Sequence, residues 1–124
     1  MTKKKILIID DDISALDIVD FLFEDQGFEV VRSTDGPTAL DTIEDAKPDI
    51  VLIDLMMPEM NGQECIAKLR ERGWKIPIIA FTAVDDTEVH DEARDAGCDL
   101  VLVKPCKPAK LVSHVEKLLN QQDA

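Results

Sequence analysis

Three aspartates in a row, Asp10, Asp11 and Asp12, follow the apolar run Ile6–Ile9. A single aspartate, Asp54, closes the apolar run Ile50–Ile53 and opens the stretch "DLMMPEMNG". Thr82 and Ala83 follow a third apolar run, and Lys104 and Pro105 follow a fourth. Carboxylates about 6 Å apart repel by roughly 3 kcal/mol per pair at an effective dielectric near 20. Such crowding raises a pKa or recruits a cation. Hard oxygen ligands in a small cluster favour Mg²⁺, with Mn²⁺ as its nearest substitute. A cation there would neutralise an incoming phosphoryl group. Lys104 would pair with the remaining charge, and the Thr82 hydroxyl could donate to one oxygen.

Each residue also has a plainer reading. Asp12 stands where a helix N-cap belongs, and Asp10 or Asp11 alone could cap or simply be solvated. Asp54 alone could be a turn residue ahead of Pro58. Thr82 could cap the next helix, although Asp85 and Asp86 suit that purpose better. Lys104 alone could be a solvated charge. The joint pattern is the specific one, because every member falls at the end of an apolar run.

Those runs alternate with amphipathic stretches. Ile6–Ile9, Phe28–Arg32, Asp49–Ile53, Ile76–Phe81 and Leu100–Val103 read as strands. Ile13–Asp25, a stretch from about Pro37, Gln63–Arg72, Thr87–Ala96 and Pro108–Asn120 read as helices. Gly27 and Gly73 stand at helix ends, where a left-handed residue is common. Strict alternation implies an α/β fold: a doubly wound parallel sheet with right-handed crossovers and helices on both faces. The strands lack a polar-apolar alternation, as expected when both faces are buried. Ligands of such sheets bind beyond the carboxyl ends of the strands, where the acidic residues, Thr82 and Lys104 fall. The helix at Thr87–Ala96 is the weakest, with Val89 its one sizeable apolar residue. Residues 121–124 read as a frayed tail.

Composition narrows the function. The 124 residues carry a formal net charge of −12 and a pI near 4.4. That balance argues against direct binding to a nucleic-acid backbone or an anionic membrane. Cys65, Cys98 and Cys106 show no CxxC and no zinc spacing, so three free thiols in a reducing compartment are expected. The apolar run in "MTKKKILIID" is too short for a signal sequence or a membrane span. A cytoplasmic protein is expected.

Taken together, the motifs resemble the receiver domain of bacterial response regulators, the CheY-like family. The acidic pair is Asp10-Asp11, the phosphoacceptor motif DxxMPxMxG stands as "DLMMPEMNG", the hydroxyl-plus-small pair is Thr82-Ala83, and the lysine-proline pair is Lys104-Pro105. The resemblance covers the chain and implies a single receiver domain over 1–124 with a flavodoxin-like (βα)5 fold and sheet order 2-1-3-4-5. It implies that Asp54 is the phosphoacceptor and that Asp11 and Asp54 ligate the metal directly. Asp10 would act mainly through water and Met56 through its backbone carbonyl. Thr82 and Lys104 would contact the phosphoryl group, and the Lys104–Pro105 bond would be cis. The donor would be a phosphohistidine on a sensor histidine kinase or phosphotransfer protein. The output would be an unknown protein bound by a surface that phosphorylation shifts, with the chain a monomer or a phosphorylation-linked dimer. Gly62 is expected to supply a positive φ in the loop after Asp54.

The sequence also departs from the family. Relatives often carry Tyr or Phe three residues before the lysine; here that residue is Val101. Thr82 alone is then expected to move the following loop. Cys106 stands where Phe is common. Met56 and Val84 flank the expected path of the attacking water and are both apolar, so slow hydrolysis of the phosphoryl group is expected. The helices at Thr87–Ala96 and Pro108–Asn120 are the expected signalling face. Two other functions compete. A haloacid-dehalogenase-like phosphotransferase would use Asp54 as nucleophile but wants an acid at position 56. A phosphorylation-independent adaptor would not need the acidic pair, Asp54, Thr82 and Lys104 together. The chain is expected to be a stand-alone receiver or a piece of a larger regulator.

Overall fold

The computed structural model describes residues 3–123. β1 (Lys5–Ile9) leads into α1 (Ile13–Asp25), β2 (Glu29–Ser33) into α2 (Gly36–Ala46), and β3 (Ile50–Ile53) into α3 (Gly62–Glu71). β4 (Ile78–Thr82), α4 (Thr87–Ala96), β5 (Leu100–Val103) and α5 (Pro108–Asp123) complete the order. The strands form one parallel sheet in the order β2-β1-β3-β4-β5, as expected.

Side chains of β1 show how one strand serves two cores. Ile6 and Ile8 join Leu16, Val19 and Phe23 of α1 and Leu111, Val112 and Val115 of α5. Leu7 and Ile9 point to the other face, against Leu40 and Ile43 of α2 and Ile66 and Leu69 of α3. Because successive strand residues face opposite ways, an apolar run with no polar alternation means burial on both sides. At the sheet edges this relaxes. Glu29 and Arg32 of β2 are exposed, and all four residues of β5 are half-buried. Charge on an outer strand discourages pairing with another sheet.

Local chemistry sets the helix starts. Asp12 has an extended backbone, and its carboxylate accepts the amides of Ser14 and Ala15, so it caps α1. Asp35 accepts from Thr38 at 2.7 Å to cap α2, and that bond holds its carboxyl below the usual range. Asn61 and Glu64 exchange side-chain and backbone bonds at the start of α3. Asp86 caps α4, which leaves Thr82 free of that task.

Several boundaries moved for physical reasons. β4 starts at Ile78, two residues late, because Pro77 has no N–H to give the ladder; its carbonyl still accepts from Val51 at 3.0 Å. Phe28 precedes β2 and packs edge-on against Phe23, with ring centroids 5.2 Å apart. α5 continues to Asp123, so residues 121–123 of the expected tail are helical, and Ala124 lies outside the described residues. Cys65, Cys98 and Cys106 are free, and burial pushes the Cys65 thiol up to about 11. No helix among the described residues is long and apolar enough to cross a membrane.

Candidate functional site

Strand register brings the chemistry together. Ile9 of β1 stands opposite Ile53 of β3, so the next residues, Asp10 and Asp54, emerge side by side. The Asp54 N–H donates to the Ile9 carbonyl at 2.9 Å, and the Asp10 N–H donates to the Ser33 carbonyl at 3.1 Å. Further along the sheet, Thr82 stands opposite Val103, and the Lys104 N–H donates to the Thr82 carbonyl at 2.7 Å. Backbone ladders therefore fix the positions of these side chains at one end of the sheet.

Asp10, Asp11 and Asp54 each offer an oxygen, and the three atoms lie within 4.8 Å of one another. Opposite ligands across an octahedral Mg²⁺ stand about 4.2 Å apart. Side-chain rotation spans that difference, so the donor set fits a hard divalent cation. The Met56 amide donates to Asp54 Oδ1 at 3.2 Å, which folds the Met56 backbone back over the Asp54 carboxylate. The Met56 side chain itself is 59% exposed.

Lys104 is placed differently from the simplest expectation. Its ammonium donates to Asp10 Oδ2 at 2.8 Å and stands 3.8 Å from Asp54 Oδ2. Asp10 is only 6% exposed, and a buried carboxylate without a partner is costly, so the ammonium bonds it first. Asp54 is left with a carboxyl above the ordinary range. Burial is the main cause; the Met56 amide, Lys104 and the Thr82 hydroxyl pull it down, and Asp10 pushes it up. Partial desolvation and the neighbouring Asp10 carboxylate thus disfavour the bare anion at Asp54.

The loop after Asp54 holds a correction. Gly62 does not adopt a positive φ; in this loop that conformation falls on Glu59, at φ 68°. What Gly62 supplies is closeness. A Cβ there would sit 2.5 Å from the Asp54 carbonyl oxygen and 2.7 Å from Leu55 Cα. The Gly62 N–H donates to the Leu55 carbonyl at 2.9 Å, which pins the loop that follows Asp54.

Thr82 is fully buried, and its hydroxyl accepts from the Val84 amide at 3.2 Å. The Val84 carbonyl accepts from His90 Nε2 of α4 at 2.7 Å, so the ring proton sits on that nitrogen. Val101 packs among the apolar side chains beneath α3 and α4. The Lys104–Pro105 bond is cis. Two residues of this region went unmarked in the sequence. Phe81 lies under the Lys104 ammonium, 5.3 Å from ring centroid to Nζ. Its signal was present: an aromatic directly before the strand-end threonine, on the strand next to the one that delivers the lysine. His90 had no such signal, since only the return of α4 over the loop brings it to Val84.

Comparison with known proteins agrees with this geometry. The family described as "Response regulator receiver domain" matches residues 6–116. The DNA-binding response regulator MtrA of Mycolicibacterium paratuberculosis is 35% identical over 98% of this chain and 53% of its own length. The alkaline phosphatase synthesis transcriptional regulatory protein PhoP of Bacillus subtilis is 31% identical over 97% of this chain and 50% of its own length. The chain thus spans about half the length of these relatives. Among solved structures, a CheY-like response regulator receiver domain protein from Methanospirillum hungatei aligns with a TM-score of 0.94, at 29% identity over 98% of each chain.

One expectation is overturned here. The acidic charge was read as excluding nucleic acid as a direct partner, yet the MtrA relatives are named as DNA-binding. A net charge of −12 describes the surface of these 124 residues only. The relatives carry about as many residues again outside the matched stretch, so the charge of this stretch does not exclude DNA as a partner. Domains of this kind generally accept a phosphoryl group, bind Mg²⁺ through an acidic cluster, and signal rather than turn over an external substrate. With a family match across nearly the whole sheet and the matched carboxylates gathered at one end of it, this chain belongs to the response regulator receiver domain family.

Proposed function

We propose that Asp54 accepts a phosphoryl group from a phosphohistidine on a histidine kinase or phosphotransfer protein. The observation that supports this most is the placement of Asp54 Oδ2, 3.8 Å from the Lys104 ammonium and within one carboxylate cluster with Asp10 and Asp11. A carboxylate oxygen of Asp54 attacks phosphorus, the P–N bond breaks, and the imidazole leaves with that electron pair. The product is a mixed anhydride, labile enough to serve as a transient mark.

Asp10, Asp11 and Asp54, with the Met56 carbonyl, are the groups that would hold Mg²⁺ or Mn²⁺. When bound, the cation supplies charge neutralisation for the phosphoryl oxygens. The chain's own groups do the rest. The Met56 amide orients Asp54 through Oδ1. Lys104 needs to shift little from Asp10 to reach an oxygen on the modified Asp54. The Thr82 hydroxyl now holds Val84; turning toward a phosphoryl oxygen would make it release that amide. Release would slacken the loop that His90 ties to α4. Ala93 is the one fully buried residue of α4 among those described, so little core packing opposes a shift of that helix. Through this path the threonine moves the signalling face without an aromatic at position 101.

The test is incubation with acetyl phosphate and Mg²⁺, read by intact mass. One phosphoryl mass should be gained by the wild type, and none when EDTA replaces Mg²⁺. Uptake that ignores the chelator would contradict the metal-dependent reading.

A further inference from the structure

Phe81 meets Lys104 on the side of the sheet that carries α1 and α5. Its ring packs against the core formed by Leu16, Val19 and Leu111. It also borders a void of about 10 Å³ shared with Asp10 and Asp54. The Lys104 ammonium stands 5.3 Å from the ring centroid, inside the range where a cation is drawn to the negative face of an aromatic ring.

The rest of Lys104's surroundings leave it poorly confined. It follows β5, the outer strand, whose four residues are all half-buried. Its side chain carries a flexible four-carbon stem and a strongly hydrated charge. Asp10 takes one N–H at 2.8 Å, and Asp54 is beyond hydrogen-bond length at 3.8 Å. The ring and Lys104 together line a groove of about 270 Å³ whose other lining residues, Ile18, Leu22 and Cys106 among them, cannot hold a cation. The ring is therefore the surface that keeps the ammonium turned toward the carboxylates.

We infer that Phe81 is a positioning residue for phosphoryl uptake: its ring face holds the Lys104 ammonium between Asp10 and the modified oxygen of Asp54. The role rests on the assignment of Asp54 as acceptor. It requires an aromatic face, not merely an apolar volume. Leu at position 81 would fill most of the space and offer no such face. Tyr or Trp would keep it.

Two measurements test this on the full chain. The first is the initial rate of uptake from acetyl phosphate with Mg²⁺, by intact mass, for the wild type and for Phe81→Leu, Phe81→Tyr and Phe81→Trp. Phe81→Leu should be slower by about two- to fivefold, while Phe81→Tyr or Phe81→Trp stays near the wild type. The second needs no variant to fold. The Lys104 ε-methylene protons, assigned by through-bond side-chain correlations, should be displaced upfield by the ring in the wild type. An undisplaced resonance, or Phe81→Leu as fast as wild type, overturns the role of Phe81 alone. A wild type that takes up no phosphoryl group overturns the assignment of Asp54 as well.

Discussion

α1 and α4 flank the same site but are held very differently. α1 buries Leu16, Val19 and Phe23, whereas α4 buries only Ala93, with Val89 half-covered. Both start at an aspartate cap, so the caps do not make the difference. The apolar face does. Large buried side chains on α1 lock it to β1 and β3, which carry the carboxylates. α4 is tied instead by polar links such as His90 to Val84, which can be exchanged at little cost. A domain that must hold a charged site still while moving a surface needs one firm half and one loose half.

The sharpest way to break this contrast is to weaken each helix in turn. Phe23→Ala should cost about 3–5 kcal/mol in urea unfolding. Val89→Ala should cost less than about 1 kcal/mol. Amide exchange should show the same order, with α4 opening before α1. Comparable losses from the two substitutions would remove the distinction.

A second test concerns the loops that follow Asp54 and Thr82. Met56 is exposed and Val84 half-buried, and neither can orient a water. Met56→Asn combined with Val84→Glu should shorten the phosphoryl lifetime by about tenfold, since positioned polar groups contribute at least that much. Equal lifetimes would sink the idea that these side chains slow hydrolysis.

Asp54 offers a third. Burial holds its carboxyl above the ordinary 3.8, so the fold disfavours its charged form. A raised carboxyl pKa means stability that is present below the unfolded value and lost as pH rises through the folded value. At neutral pH with chelator, Asp54→Asn should therefore unfold at a higher temperature than the wild type. The gain should fade as pH falls through the folded pKa toward 3.8. Added Mg²⁺ should narrow it by stabilising the wild type. A variant no more stable at neutral pH would show that Lys104 and the hydrogen bonds from Met56 and Thr82 already balance the charge.

A further test acts at the loose half itself. His90→Ala removes one hydrogen bond and should cost about 0.5–1.5 kcal/mol. Its informative readout is the response of α4 amides to beryllofluoride with Mg²⁺. That response should shrink in the variant, because the link from Thr82 through Val84 to the helix is cut. An unaltered response would place the path elsewhere.

Much of this was legible in the sequence because local signals agreed. α1 starts and stops where Asp12 and Gly27 say it should, and α4 starts at its Asp86 cap. β5 was legible from four apolar residues between Asp99 and Lys104. The site followed from strand ends, since parallel strands in register bring their last residues together. What stayed hidden depends on closeness between distant segments. Gly62 reads like a turn glycine, but its value lies in the approach of Asp54 and Leu55. The first partner of Lys104 is Asp10, 94 residues away, and depth of burial decided that choice. Arg70 likewise looks like a surface charge on α3. It donates to the carbonyls of Trp74, Ile76 and Gly97 and to Asp99, tying three segments at the far end of the sheet.

The most direct test of the account is covalent uptake at Asp54. Wild type and Asp54→Asn, each folded and given acetyl phosphate with Mg²⁺, should part completely by intact mass. The wild type should gain one phosphoryl group that hydroxylamine removes, as an acyl phosphate requires, and the variant should gain none. Equal uptake by the variant, or a wild-type adduct that hydroxylamine leaves in place, would contradict the acceptor role on which the rest depends.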